Sequence, residues 1–143
     1  ILSEKKGPPP EINLFNEKNN GLTISKLIKD NLIESCHDIS LGGILVAASK
    51  MCIKSNKGIK INNLKNLINK FEYFFSEDQG RYLIEIKKDN LSKVEKILMD
   101  NSVHFDDLGV VNDDKFLFSD EINLSIDDLS MVYKGWLKKY MVN

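Results

Sequence analysis

Two adjacent glycines, Gly42 and Gly43, constrain this chain more than any other feature. They stand between a short β-like run at residues 32–39 and the most helical stretch of the sequence, residues 43–55. Glycine lets the backbone turn sharply and lets another group approach it closely. The first N–H groups of the following helix lack intrahelical partners and attract anions. The sequence therefore predicts a strand–turn–helix junction whose loop can hold an anion or dock against another backbone.

Two interpretations of this loop stay open. In the first, Asp38, Ser40, Gly42 and Gly43 form a ligand-binding or interface loop. In the second, Asp38 or Ser40 caps the helix and the glycines only permit the turn. The segment lacks the lysine and the serine or threonine of a phosphate-binding P-loop, and it is not a Gly-x-Gly-x-x-Gly motif. The pattern by itself therefore favours the capping interpretation.

The run Cys36, His37 and Asp38 invites a nucleophile-and-base hypothesis, but strand geometry argues against it. On a strand, neighbouring side chains point to opposite faces, so Cys36 and Asp38 share one face and His37 points to the other. Three consecutive strand residues cannot relay a proton among themselves as a catalytic triad does. We therefore expect His37 to be structural, and the sequence predicts no catalytic residue.

Residues 75–81 form a polar turn that enters a strand. Glu77 and Asp78 offer the oxygen ligands that Mg²⁺ prefers, but two adjacent acids in a loop are more often simply solvated. We therefore predict no metal site here. Arg81 is the only arginine in the chain, and its planar fork suits an ion pair with Glu77 or another acid. His104, between two apolar residues, is predicted to be a strand residue.

Composition narrows the class of protein. The chain has 143 residues, a net charge of −1 and hydrophobic and charged fractions of 42% and 29%, which fit one globular domain. A nearly neutral chain gives no reason to expect nucleic acid or an anionic membrane as a partner. No apolar run is long enough to span a bilayer. The two cysteines are far apart, which argues against a disulfide framework or a zinc cluster.

The order of the predicted elements favours an α+β fold, with helices on a mixed or antiparallel sheet. The Gly-Pro-Pro-Pro run at residues 7–10 predicts an extended linker over residues 1–13, followed by a single domain over 14–143. Helices are predicted over 14–31 with an irregular first half, 64–75, 91–100 with Asn90 as cap, and from 127 or 128 to 140, besides 43–55. Strands are predicted over 32–39, 59–61, 81–87, 103–111 and 115–118, with a hairpin turn at 112–114.

Three segments together resemble the last domain of the phosphoribosylformylglycinamidine synthase subunit II family. Residues 37–43 read His-Asp-Ile-Ser-Leu-Gly-Gly, similar to the family's His-Asp-x-Ser-x-Gly-Gly. Residues 75–85 resemble its Phe-x-Glu-x-x-Gly-Arg entry to a strand, and residues 108–111 its Ile-Gly-x-Val segment. Leu41 stands where the family usually has an acid and Ser76 where glycine is common, so a metal or polar-ligand role for the loop is less expected here.

The resemblance implies a layered α/β/α domain with a mixed, largely antiparallel sheet, of the aminoimidazole ribonucleotide synthetase C-terminal type. It implies that the whole enzyme is a cytoplasmic ATP-dependent ligase of purine biosynthesis, which uses Mg²⁺ and converts formylglycinamide ribonucleotide and glutamine-derived ammonia to the amidine. The implied partners are upstream domains of the same polypeptide, a glutaminase subunit and a small accessory subunit.

In this family the catalytic and metal-binding residues lie mainly upstream, so none is carried over to this chain. The resemblance thus implies a C-terminal domain that supports the nucleotide domain, holds no cofactor by itself and is inactive alone. The first residue is Ile1 and not methionine, which also leads us to expect a piece of a longer protein. The alternative is a stand-alone ligand-binding or interaction module that shares the fold. A separated domain should expose a sizeable apolar patch where its neighbour packed.

Overall fold

The computed structural model describes residues 11–62, 69–119 and 121–142. The helices are α1 (Leu14–Lys29), α2 (Gly43–Ser55), α3 (Lys70–Phe75), α4 (Leu91–Asp100) and α5 (Ile126–Val142), with a short 3₁₀ turn at Lys88–Asn90. The strands are β1 (Ser35–Asp38), β2 (Gly58–Ile61), β3 (Tyr82–Glu85), β4 (Gly109–Asn112), β5 (Lys115–Phe118) and β6 (Ile122–Ser125). Most of the predicted linker, at residues 1–10, and the predicted helical start at 64–68 lie outside the described residues.

The described strands form two sheets. Strands β1 and β3 pair antiparallel, with Ser35 opposite Glu85 and Asp38 opposite Tyr82. The other sheet has the order β4–β2–β5–β6, in which β2 runs antiparallel to β4 and parallel to β5. The final pair, β5 and β6, is antiparallel. The α+β class with mixed, largely antiparallel pairing is therefore confirmed, although the strands divide between two sheets.

Helix α2 packs against strands of both sheets and organises the larger core. This core joins α2 to β2, β5, α3 and α5, and its buried members are Ile39, Ile44, Leu45, Ala47, Ala48, Cys52, Ile61, Phe74, Phe116, Phe118 and Ile126. Strand β3 alternates as predicted: Leu83 packs on this core, whereas Ile84 and Ile86 pack on a second core between α1 and α4. The small sheet therefore has α2 on one face and α1 with α4 on the other, in the expected layered arrangement.

Helix α1 is continuous, so the predicted irregularity of its first half is wrong. The Asn13 side chain caps it by accepting a hydrogen bond from the Asn16 N–H at 3.0 Å. Gly21 and Thr23 have low helix propensity, but Thr23 is only 4% exposed and so contributes to packing. An end cap and tertiary packing thus outweigh two weak helix formers.

Helix α4 has the predicted bounds, but the predicted cap is wrong. The Asn90 side chain makes no capping bond, and its Nδ2 instead donates to the Leu32 carbonyl at 3.3 Å. The 3₁₀ turn leads the chain into the helix. Val94 and Leu98 are buried as expected, and Ile97 packs against the same core. The Asn90 side chain therefore makes a long-range contact instead of the helix cap that the sequence predicts.

The predicted hairpin at residues 112–114 is also wrong. Strands β4 and β5 flank this turn, but β2 lies between them and pairs with both. Strand β2 fits tightly between its neighbours, because a Cβ on Gly58 would clash with both the Lys115 carbonyl oxygen and Asn112 Oδ1. Strand β4 covers only the end of the predicted 103–111 strand, so His104 lies outside a strand, and β6 was not predicted at all.

Helix α5 begins at Ile126, one position before the earliest predicted start. The Ser125 hydroxyl accepts a hydrogen bond from the Asp128 N–H at 3.0 Å, which satisfies one of the unpaired donors at the helix start. Ile126 is buried, whereas Met131 and most of the side chains after it are exposed. Within the described ranges, no helix is both long and apolar enough to cross a membrane.

Candidate functional site

The two glycines form the tight junction that the sequence predicts. Gly42 and Gly43 have φ values of +88° and +70°, in the left-handed region that side-chain-bearing residues rarely adopt. A Cβ on Gly43 would lie 2.5 Å from the Phe74 carbonyl oxygen and 2.7 Å from Phe75 Cα. The end of α3 is therefore the backbone that docks on this loop, and α2 starts directly beneath it.

A carboxylate of the same chain occupies the start of α2. The Gly42 N–H donates to Glu77 Oε1 at 2.8 Å, and the Gly43 N–H donates to the Ser40 carbonyl oxygen at 2.9 Å. The helix has no side-chain cap, so the predicted capping by Asp38 or Ser40 is wrong. Asp38 is exposed and its carboxylate faces the His37 ring, with Oδ1 3.3 Å from Nδ1. Glu77 thus supplies the negative charge that a helix start favours.

Arg81 stabilises the turn that contains Glu77. Its Nη1 donates to Ser76 Oγ at 2.7 Å and lies 3.4 Å from Asp78 Oδ2, and its Nη2 donates to the Tyr73 carbonyl oxygen at 3.0 Å. The guanidinium also stacks over the Tyr73 ring, 5.3 Å from the centroid. The acid that pairs with Arg81 is therefore Asp78, which leaves Glu77 to bind the glycine loop.

Helix α3 is held from a second direction by its tyrosine. The Tyr73 hydroxyl donates to Asp106 Oδ2 at 2.7 Å, in the loop before β4. Burial raises the pKa of Tyr73, and the hydrogen bond to Asp106 raises that pKa further, so the phenol stays protonated and serves as the donor. These contacts fix the helix end against which Gly43 packs.

Replacing Arg81 with lysine is expected to lower the free energy of unfolding by about 1–2 kcal/mol, because an ammonium cannot reproduce the forked contacts and the ring stacking. Urea unfolding followed by circular dichroism measures the change. The matched control is Lys87→Arg, at an exposed residue paired with Glu34, which should change stability by less than about 0.5 kcal/mol. Equal stability of Arg81→Lys and the unmodified chain would show that the Arg81 contacts do not stabilise the turn after α3.

The Cys36, His37 and Asp38 run alternates as predicted. Cys36 and Asp38 are exposed, whereas His37 is half-buried on the other face. Neighbouring atoms partly shield the thiol from water and so raise the pKa of Cys36, and the Asp38 carboxylate adds to the rise, so the reactive thiolate is disfavoured. These three residues do not form a nucleophile with its base.

The described residues also contain no group of three or more histidine, cysteine, aspartate or glutamate side chains placed to hold a metal ion. The contact between Glu77 and Gly42 was not predicted. The two residues are 35 positions apart, and a polar turn gives no local signal of what its carboxylate binds. The N–H groups of Gly42 and Gly43 therefore already have partners within the chain.

The fold and the sequence together define the class of protein. The family model described as AIR synthase related protein, C-terminal domain, matches residues 1–120, and the chain belongs to this family. Its relatives within the class are phosphoribosylformylglycinamidine synthase subunits PurL: the subunit from Pelagibacter ubique is 60% identical over all 143 residues, and that from Bartonella bacilliformis is 38% identical over the same length. The chain spans only 20% and 19% of these two relatives.

Solved structures agree with this assignment at the level of fold. PurL of Thermotoga maritima complexed with FGAR matches with a TM-score of 0.71 and 18% identity, over 83% of this chain and 21% of that one. The structure of PurLQS from the same organism matches with a TM-score of 0.73 and 18% identity, over 85% and 22%. The family match and the PurL relatives confirm the resemblance found from three short segments.

Proposed function

We propose that this chain is the C-terminal domain of an ATP-dependent phosphoribosylformylglycinamidine synthase, which supports the nucleotide-binding domain and is not catalytic alone. The observation that carries the proposal is 60% identity to a PurL subunit along the whole chain, combined with coverage of only 20% of that subunit. The proposed reaction of the whole protein converts formylglycinamide ribonucleotide, glutamine-derived ammonia and ATP to the amidine.

The contacts around the glycine loop support placing ATP and Mg²⁺ in the rest of the protein. Glu77 and Asp78 are already bound to Gly42 and Arg81, so neither carboxylate is free to coordinate a cation without breaking a contact that holds α3. A structural neighbour supports ATP as the cofactor: the PurL of Thermotoga maritima has been solved complexed with ADP and with ATP. We extend ATP and Mg²⁺ to the whole protein that contains this chain, not to this domain alone.

The proposed assembly includes the remaining domains of the same polypeptide, a glutaminase subunit and a small accessory subunit. The Thermotoga PurLQS structure supports a multi-subunit assembly for a protein of this kind. A cytoplasmic location follows from the same proposed place in purine biosynthesis.

Within that assembly, we propose that the loop containing Asp38, Ser40, Gly42 and Gly43 lies at a domain interface. The exposure of Leu41, at 77%, supports an apolar contact beside the glycines. The Glu77 carboxylate on the Gly42 N–H argues against a second anion at the same donor, because like charges repel at that distance.

Activity measurements on two proteins test the proposed function. The 143-residue chain and the full-length polypeptide that contains it are each assayed for ATP hydrolysis with formylglycinamide ribonucleotide and ammonia. Turnover by the full-length polypeptide and none by the chain alone is the expected result. Robust turnover by the 143 residues would contradict the assignment of catalysis to other domains. An inactive full-length polypeptide would contradict the proposed synthase function.

A further inference from the structure

Helix α5 carries an apolar face that is buried at its start and exposed along its remaining turns. Ile126 is 3% exposed and Leu129 packs against the larger core. At 3.6 residues per turn, the same side of the helix continues through five large side chains. These residues, here called the α5 face, are between 53% and 73% exposed: Val132, Tyr133, Trp136, Leu137 and Tyr140.

Lys134 and Asp127 are seven positions apart and lie on the side of α5 away from the α5 face. Lys139 borders the face, because it follows Val132 by seven positions, and Asp128 lines the groove beside Val132. The face itself contains aliphatic and aromatic residues without a charge. Such segregation is typical of a helix that buries one side against a partner.

A groove between α2 and α5 extends this apolar surface toward the body of the domain. Its volume is about 410 Å³, and its apolar walls include Val46, Ile53, Leu124 and Val132. Val132 and Tyr133 belong to both the groove and the α5 face, so the two are continuous. The combined surface is the sizeable apolar patch expected of a domain separated from its neighbour.

The greater length of the relatives offers an occupant for this surface. The family match ends at residue 120, before α5, whereas the match to PurL subunits runs through all 143 residues. The Pelagibacter subunit has four-fifths of its length outside the matched region. The composition of the α5 face, rich in tyrosine and tryptophan and without charge, is that of an interface core. Permanent interfaces are the more hydrophobic kind, and a neighbour in the same polypeptide is permanent.

We propose that the α5 face and the α2–α5 groove are the docking surface for an apolar surface of the same polypeptide that lies outside these 143 residues. The inference rests on the proposed function only because both require a longer polypeptide. Helix α5 then packs against the neighbouring part of the polypeptide, and side chains of that neighbour fill the groove.

Hydrogen exchange measured by mass spectrometry tests the docking. Backbone amides of residues 131–141 should exchange at least about 100-fold more slowly in the full-length polypeptide than in the 143-residue chain. In the 143-residue chain most of the described side chains on these turns of α5 are exposed, whereas in the full-length polypeptide the neighbouring surface would cover them. In the full-length polypeptide, Trp136→Glu should restore fast exchange over the same residues and let limited proteolysis release the domain. The matched control is Lys134→Glu, a change at an exposed position away from the α5 face, which should leave both measurements unchanged.

Two outcomes would overturn the inference. Equally fast exchange of residues 131–141 in both proteins would mean that nothing covers α5. Slow exchange in the chain alone, together with sedimentation as a dimer that Trp136→Glu dissociates, would identify a second copy as the occupant.

The enzyme assay keeps this inference separate from the proposed function. Synthase activity of a full-length polypeptide with an unprotected α5 would contradict the docking and leave the function standing. Protection of α5 in a full-length polypeptide without synthase activity would support the docking and contradict the function.

Discussion

Replacement of Gly43 with alanine is expected to lower the free energy of unfolding by about 3 kcal/mol or more. Two costs add. A φ of +70° costs a side-chain-bearing residue roughly 1–2 kcal/mol. The new Cβ would also lie 2.5 Å from the Phe74 carbonyl oxygen, and this oxygen belongs to the backbone of α3, so relief requires the helix to move away from α2. The loss should appear in urea unfolding as a lower midpoint.

The chain offers a matched control for this change. Gly135 lies within α5, and a Cβ there would meet nothing within 4 Å. Gly135→Ala should raise the free energy of unfolding by up to about 1 kcal/mol, because alanine is the better helix former. The same substitution thus has opposite effects at two glycines. A Gly43→Ala chain as stable as the unmodified one would show that the close approach of α3 contributes nothing.

Phe74→Ala is expected to lower the free energy of unfolding by about 3–5 kcal/mol, the usual range for removing a buried aromatic ring. Phe74 is 2% exposed. Its ring meets Phe118 edge-on at a centroid distance of 4.6 Å and Tyr73 at 5.1 Å, so it joins α3 to the four-stranded sheet. Thermal and urea unfolding, followed by circular dichroism, measure the loss.

The control for Phe74 lies on the same short helix. Phe71 is 57% exposed, and Phe71→Ala removes an equal number of atoms from a position that water already reaches. Its expected cost is below about 1 kcal/mol. Similar losses for the two variants would argue against the packing of α3 on the larger core. Because Phe74 also supplies the carbonyl that faces Gly43, the two positions should not behave additively.

Local signals predicted the helices well. The structure begins and ends α2 at Gly43 and Ser55, as expected from the glycine junction and from small residues such as Ala47 and Ala48. The same local reasoning failed where distant residues compete for a group. The Asn90 side chain donates a hydrogen bond to the Leu32 carbonyl and therefore does not cap α4.

The candidate site shows the same division. The position and the sharp turn of Gly42 and Gly43 followed from the sequence, because only glycine fits such a turn easily. The contact with Glu77 did not, because it depends on where α3 places the polar turn after it. An acid in a polar turn has the same local sequence whether water or a helix start binds it. The pairing of Arg81 with Asp78 was predictable only as one choice among several acids.

The position of β2 between β4 and β5 has a consequence for synthesis on the ribosome. Gly58 pairs opposite Asn112 and Ile59 opposite Phe116, so both neighbours of β2 are translated about fifty residues after it. At roughly 5–20 residues per second, the nascent strand has both hydrogen-bonding edges open for about 3–10 s. An unpaired apolar strand is a template for pairing with other chains. Newly made chains should therefore depend on chaperones most in the interval between translation of residue 61 and residue 118.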